Sequence, residues 1–149
     1  MQEFDVIVIG GGPAGYNCAE YAAHHGKKVL LVEKKSLGGT CLNVGCIPTK
    51  TFLYAGKMYH YASGAGEAYG VTAEGAVHVD QAAVVAKKDE VVKMLVQGVG
   101  SALRRKKVKV VNGTAKLGKV EGKPAVFVED ETYTAEDLIL ATGSTPSVP

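Results

Sequence analysis

The sequence predicts an α/β fold: a parallel sheet with helices on its faces and a small antiparallel β-meander. The prediction rests on three observations. Residues Phe4 to Ile9 form an almost continuous apolar run, as expected of a parallel strand covered on both sides. A glycine-rich turn, an Ala-rich helix and a second apolar run at Val29–Val32 follow, giving strand, helix and strand within about thirty residues, the span of a βαβ unit. Late in the chain, short apolar runs alternate with turn residues, the pattern of hairpin-connected strands.

Each element has its own signal. Gly10-Gly11-Gly12-Pro13-Ala14-Gly15 ends the first strand and opens a helix that stops near His24-His25-Gly26, where Gly26 suits a C-terminal cap. Glu33 closes the carboxyl end of the second strand. A second glycine turn, Gly38-Gly39, leads to Cys41. Pro48 then suits the first turn of a helix from about Cys46 to Ala65, bearing Leu53, Met58 and Tyr61. Gly64 to Gly75 is a Gly-rich connection without readable chemistry. Asp80 is placed to cap a long helix from about Gln81 to Arg105, with Val84, Val85, Val91, Val92, Leu95, Val99 and Leu103 supplying apolar faces. The run Arg104-Arg105-Lys106-Lys107 reads as cations favoured by the helix dipole rather than as a phosphate-binding patch. Val108–Val111, Thr114–Leu117 and Ala125–Val128, separated by Asn112-Gly113 and Glu121-Gly122-Lys123, read as the antiparallel meander. Leu138–Ala141 is a last buried strand, running into Thr142-Gly143-Ser144.

Composition narrows the classes. A chain of 149 residues with 46% apolar and 21% charged residues has room for one packed domain, which excludes disordered and fibrous classes. A net charge of +2 gives no footing for nucleic acid or an acidic lipid surface, and no apolar run is long enough for a bilayer. The first strand begins almost at once, leaving no room for a leader peptide, so a cytoplasmic location is expected. There, three cysteines do not make a structural disulfide framework.

Two clusters carry chemistry. Gly10-x-Gly12-x-x-Gly15 sits between a strand and a helix. Gly10 permits the tight turn, Gly12 lets a pyrophosphate approach the backbone, and Gly15 lets helix and strand pack closely. Glu33 is placed to accept hydrogen bonds from a ribose diol. The pattern indicates a Rossmann-like dinucleotide site without separating FAD from NAD; its bland alternative is a glycine turn made for packing. The second cluster is Cys41-Leu42-Asn43-Val44-Gly45-Cys46-Ile47-Pro48-Thr49-Lys50. Two cysteines at this spacing can close a small disulfide ring, and a helix N-terminus favours the thiolate form of a thiol placed there. Lys50 falls one turn after Cys46 on the same face. A dithiol passing electron pairs needs a two-electron acceptor, and a flavin supplies one along with a pyrophosphate. The alternatives for the two cysteines are a metal site, for which further ligands at suitable spacing are missing, or inert buried thiols. Cys18 reads as a small core residue.

These residues resemble a known family. Asp5-Val-Ile-Val-Ile-Gly-Gly-Gly-Pro-Ala-Gly-Tyr16, Gly38-Gly-Thr-Cys-Leu-Asn-Val-Gly-Cys-Ile-Pro-Thr-Lys50, Tyr59-His60, Gln97-Gly98-Val99, Val111-Asn-Gly-Thr-Ala115 and Ile139-Leu-Ala-Thr-Gly-Ser144 look like the N-terminal FAD-binding segment of the pyridine nucleotide–disulfide oxidoreductases. Leu42 and Ile47 point to the dihydrolipoamide dehydrogenase branch. The resemblance implies FAD as cofactor and NAD⁺ as co-substrate of the full-length enzyme. It further implies dihydrolipoamide, or the lipoyl domain of a 2-oxoacid dehydrogenase or glycine-cleavage complex, as partner, and a homodimer. Cys41 would be the interchange thiol, Cys46 the thiol against the flavin, and Lys50 the residue beside its ring. Gly10, Gly12, Pro13, Ala14, Gly15, Glu33, Lys34, Gly39, Thr40, Lys50, Gly113, Ala115, Thr142 and Gly143 would bind the cofactor, with Glu33 on the ribose and Gly113 and Ala115 near the adenine. Thr51-Phe52 departs from the small and aliphatic residues common there. Residues 1–149 would then be the N-terminal part of an FAD-binding domain, with the NAD-binding and interface domains outside the chain beyond Pro149. None of His24, His25, His60 or His78 fits the family's catalytic base, which the interface domain supplies. The competing readings are a related flavin disulfide reductase with another substrate and a stand-alone flavin or ADP module without turnover.

Overall fold

The computed structural model describes residues 1–145 and 147–148; Pro149, the expected domain boundary, lies outside them. One six-stranded sheet forms the frame. Its strands are β1 (Gln2–Ile9), β2 (Val29–Glu33), β3 (Lys109–Asn112), β4 (Lys116–Val120), β5 (Lys123–Val128) and β6 (Glu131–Leu140), in the spatial order β3-β2-β1-β6-β5-β4. β3, β2, β1 and β6 run parallel, and β4 and β5 join antiparallel to the end of β6. Helix α1 (Pro13–His24) links β1 to β2. A short α2 (Gly39–Asn43), then α3 (Cys46–His60) and α4 (Gln81–Arg105), span the crossover from β2 to β3.

Two cores hold the sheet. On one face Val6, Val8, Val29 and Leu31 meet Ala19 of α1 and Leu103 of α4, all buried. On the other, Ile7, Ile9, Leu30 and Val32 share a cluster with Val126, Val128 and Tyr133, so the antiparallel end of the sheet curls back over the parallel strands. That second cover explains why β1 and β2 read as continuous apolar runs: both of their faces are buried. Asp80 caps α4 as expected, its Oδ1 accepting from the Ala83 N–H at 3.1 Å.

The meander is placed differently from the sequence expectation. Val108–Val111 belongs to the segment that becomes β3, and β3 pairs parallel with β2, Leu31 opposite Val110. A strand that follows a long crossover helix returns parallel to its predecessor, so the antiparallel unit is β4-β5-β6 instead. The segment Thr114–Leu117 is likewise shifted, to Lys116–Val120. The last strand, ten residues against the four expected, is longer and less buried. β5 pairs only with residues 131–134, so Leu138 and Ile139 are half-covered and Leu140 is 59% exposed. The helix expected to run to Ala65 does so through a π-helical turn at Tyr61–Ala65. Leu53, Met58 and Tyr61 face outward rather than into a core.

Candidate functional site

The carboxyl ends of the parallel strands build the site. Beyond each strand one more backbone bond continues the ladder: Gly10 N–H to Val32 O at 2.8 Å, Gly113 N–H to Glu33 O at 2.9 Å, and Ala141 N–H to Ile9 O at 2.8 Å. The loops starting at Gly10, Glu33, Gly113 and Ala141 therefore share one edge, and the chain moves outward from β1 in both directions there. In open parallel sheets this is where ligands bind. Gly143 lies in the exposed continuation of β6, with φ 72°.

The glycines of the first loop divide their work. A Cβ on Gly10 would strike the Ala141 carbonyl, and its φ of 106° is closed to other residues in any case. A Cβ on Gly15 would strike the Gly10 carbonyl, so the contact between α1 and β1 requires its absence. Gly12 differs: it has φ −73°, and a Cβ there would find only Gly39 Cα, 3.8 Å away. Gly12 is also the N-cap of α1, with no side chain capping the helix, and Pro13 stands in its first turn. Uncapped N–H groups at the positive end of a twelve-residue helix, beside a position with space, fit an anionic pyrophosphate.

Glu33 is buried at the end of β2, and both carboxylate oxygens hold the surrounding loops. Oε2 accepts from the Gly11 N–H at 2.6 Å and Oε1 from the Lys35 N–H at 2.7 Å. Each oxygen keeps a second lone pair, so a ribose diol can still be accepted. Lys34 and Thr142 are exposed on this edge. Ala115 instead packs against the core cluster, leaving only its backbone to face a ligand.

The dithiol stands beside this loop. Gly38 donates to Gly11 O at 2.8 Å, and a Cβ on Gly39 would sit 2.8 Å from Gly12 Cα, so the turn carrying α2 is pressed onto the first glycine loop. Cys41 lies within α2, Thr40 beside it is exposed, and Cys46 is the first residue of α3, whose N-cap Gly45 offers no side chain. Both cysteines are free thiols, and Cys46 is near enough to bear on the ionisation of Cys41. The Cys41 thiol is held above the ordinary thiol range, first by the neighbouring Cys46 side chain, which favours its protonated form, then through burial and the charge of Cys46. The Cys46 N–H and Lys50 pull the other way. Lys50 is exposed on α3, one turn beyond Cys46. Thr51 Oγ donates to Ile47 O at 2.9 Å, and Phe52 beside it is 39% exposed, so this departure from the family pattern alters the surface of α3. Cys18 packs half-buried beside the helix-side core.

Sequence reasoning missed Asn43. Its Nδ2 donates to Leu37 O at 3.0 Å and Gly39 O at 2.8 Å, and its Oδ1 accepts from Ser36 Oγ at 3.1 Å. An amide between two cysteines was the available signal, since Asn favours bonds to nearby backbone. Among the described residues no group of three or more His, Cys, Asp and Glu side chains could hold a metal, and no helix is long and apolar enough to cross a membrane.

Known proteins share this arrangement. The profile of the family described as "Pyridine nucleotide-disulphide oxidoreductase" matches residues 4–149. Dihydrolipoyl dehydrogenase of Acholeplasma laidlawii is 43% identical over 148 residues, covering 99% of this chain and 43% of that protein. Dihydrolipoyl dehydrogenase of Mycoplasma genitalium is 44% identical over 144 residues, covering 97% and 31%. Among solved structures, the HOCl-induced flavoprotein disulfide reductase RclA from Escherichia coli superposes with a TM-score of 0.76 at 26% identity, over 97% of this chain and 29% of that one. The chain thus spans less than half the length of these relatives. With the profile match running from the first strand to the last residue, the chain belongs to the pyridine nucleotide–disulphide oxidoreductase family.

Proposed function

We propose that this chain forms the flavin-side half of a dihydrolipoyl dehydrogenase, with Cys41 and Cys46 as its redox pair. The observation that carries the reading is the contact of the dithiol turn with the nucleotide loop, Gly39 against Gly12 and Gly38 N–H on Gly11 O. A thiol pair pressed onto a pyrophosphate-binding loop is positioned to exchange electrons with what that loop holds. Gly10, Gly12, Pro13, Ala14 and Gly15 would cradle the diphosphate, with Gly39 and Thr40 opposite. Glu33 would take the ribose hydroxyls with Lys34 beside it, the backbone at Gly113 and Ala115 would border the adenine, and Thr142-Gly143 would border the diphosphate crossing. FAD, bound there, supplies a two-electron acceptor, and NAD⁺ would be the final one, held by a part of the enzyme outside this chain.

The chemistry of the chain's own residues follows from the dithiol. With Cys41 and Cys46 joined as a disulfide, a dihydrolipoyl thiolate attacks the Cys41 sulfur, and the Cys41–Cys46 bond breaks with Cys46 leaving as thiolate. The second substrate thiolate then displaces Cys41, releasing lipoamide and leaving a reduced pair. Cys41 takes up a proton, in keeping with its raised affinity for one, and Lys50 lies one turn from the Cys46 sulfur. Lipoyl domains of 2-oxoacid dehydrogenase or glycine-cleavage complexes are the partners this chemistry fits, and the homodimer belongs to the same reading. So does a cytoplasmic setting, where thiols are kept reduced. Likeness to a flavoprotein disulfide reductase supports a second reading, the same relay acting on another disulfide substrate.

The test uses the purified chain. Added FAD should change its visible absorption on binding, and the oxidised chain should convert dihydrolipoamide to lipoamide one for one, gaining two titratable thiols. A Cys46→Ser variant has no internal disulfide to reduce and should leave dihydrolipoamide unoxidised; offered lipoamide instead, its Cys41 thiolate should open the lipoyl disulfide and stop at a mixed disulfide. No stoichiometric exchange at Cys41 would sink the relay; exchange with other dithiols but not with dihydrolipoamide would favour the second reading.

A further inference from the structure

We propose that Asn43 is a positioning residue that holds Cys41 against Cys46 by tying the dithiol helix to the nucleotide loop. The inference rests on the redox-pair reading of Cys41 and Cys46. Helix α2 has five residues, too few to hold itself. Two backbone bonds reach across its ends, Leu42 N–H to Gly38 O at 3.2 Å and Val44 N–H to Thr40 O at 3.0 Å. Leu42, buried against Gly38, fixes one side of it. The Asn43 amide donates to two carbonyls at the start of this unit, Leu37 O in the turn before α2 and Gly39 O in its first residue. Ser36 Oγ completes the ring by donating to Asn43 Oδ1. Asn43 is the one side chain that joins the far end of α2 back to residues 36–39 among the hydrogen bonds of the described residues.

Those same residues are the ones pressed onto the first glycine loop through Gly38 N–H and Gly11 O. The amide therefore fixes where α2 sits relative to that loop and, through it, how Cys41 faces the first residue of α3. A disulfide tolerates only a narrow range of Cβ separations. Loosening α2 lowers the effective concentration of Cys41 at Cys46, and the pair becomes harder to oxidise.

The experiment measures the thiol–disulfide equilibrium of the purified chain with glutathione: dithiol plus glutathione disulfide gives the Cys41–Cys46 disulfide plus two glutathione thiols. Asn43→Asp keeps the shape of the side chain but removes both donated bonds and sets a carboxylate oxygen against two carbonyls. Asn43→Ala removes shape and bonds together. Two hydrogen bonds of ordinary net strength predict that both variants form the disulfide about tenfold less readily, equivalent to about 30 mV in a two-electron potential. A role in packing alone would leave Asn43→Asp at the wild-type equilibrium, and a shift under about twofold in that variant overturns the proposal. A wild-type chain that forms no intramolecular disulfide refutes the redox-pair reading itself, a different outcome from unchanged variants. Should neither variant fold, hydrogen exchange in the wild-type chain decides. The Asn43 side-chain protons should exchange at least about tenfold more slowly than a free amide, and free-amide rates overturn the proposal.

Discussion

Two glycines of one motif should respond oppositely to the same substitution. Gly15 sits where α1 crosses the end of β1, and an added Cβ would lie inside contact distance of the Gly10 carbonyl oxygen and 3.4 Å from Ala141 Cβ. The obstacle is backbone, so no side chain can rotate away, and α1 has to move by about an ångström or more. That motion would open the helix-side core around Ala19 and Val8. An overpacking of this kind costs about 3 kcal/mol, which for a chain of 149 residues lowers Tm by roughly 6–12 °C. Gly12 has an ordinary φ of −73° and nothing nearer than 3.8 Å to a new Cβ. Gly12→Ala should therefore leave Tm unchanged or raise it slightly, by up to about 1 kcal/mol through a less flexible unfolded chain. Its methyl group instead occupies the space a pyrophosphate would use, so ADP or FAD should bind at least about tenfold more weakly. Thermal melts and a calorimetric ADP titration on both variants test the pair. Unchanged ADP binding in Gly12→Ala would refute the ligand role of this loop, and an unchanged melt in Gly15→Ala would refute the packing account.

Three other changes have defined outcomes. In the reduced chain, the pH midpoint for alkylation of Cys41 by iodoacetamide should lie above that of the same residue in urea and fall back in Cys46→Ala. A raised folded value means the contribution to stability is intact below the ordinary thiol range and is lost as pH rises through the shifted value. A Cys41 midpoint below the unfolded one would contradict this. Asp80→Ala removes the cap on Ala83 N–H and should cost about 1 kcal/mol, a fall in Tm of about 2–4 °C. Glu121 and Gly122 both have positive φ, 51° and 82°, in the two-residue turn between β4 and β5. Glu121→Asn matches what such a turn prefers and should raise Tm by about 1–3 °C in the same melts.

Elements with two covered faces or a side-chain cap were legible in the sequence, and those defined by distant partners were not. β1 and β2 announced themselves as apolar runs because both faces are buried, and α4 began at Gln81 because Asp80 caps it. β3 was recognised as a strand but assigned the wrong partner. Lys109–Asn112 carries no local mark of its direction; only its place after the crossover helix does. The polar stretch 131–137 hid most of β6, since Tyr133 and Ala135 are buried beneath a curl of the sheet that no local pattern records. At the site, the cysteines and glycines were readable as residue types at fixed spacing. Asn43 and the second use of Glu33, as an anchor for Gly11 and Lys35 N–H, were not, because they depend on which backbone groups the fold brings within reach.

Gly10, Gly11 and Gly12 look equivalent in the sequence, yet each meets a different neighbour, and this orders their tolerance. Gly10 faces the Ala141 backbone at the end of β6 and carries a positive φ, so both space and conformation exclude a side chain. Gly11 lies outside the x-spaced pattern, but a Cβ there would sit 2.9 Å from Leu37 Cδ2 and 3.1 Å from Glu33 Oε2, and its N–H already holds that carboxylate. Leu37 is a flexible side chain and can yield, while Glu33 is tied at both oxygens and cannot move without releasing Lys35 N–H. Gly12 meets only Gly39 Cα, at an ordinary contact distance of 3.8 Å. Alanine at the three positions should therefore destabilise in the order Gly10, Gly11, Gly12, with Gly11→Ala costing about 1–2 kcal/mol in urea melts. ADP affinity should fall for Gly11→Ala as well, because displacing Glu33 moves the group set to hold the ribose. If Gly11→Ala matched Gly10→Ala in stability, Leu37 would be as rigid as backbone, and the separation of a yielding neighbour from a fixed one would be wrong.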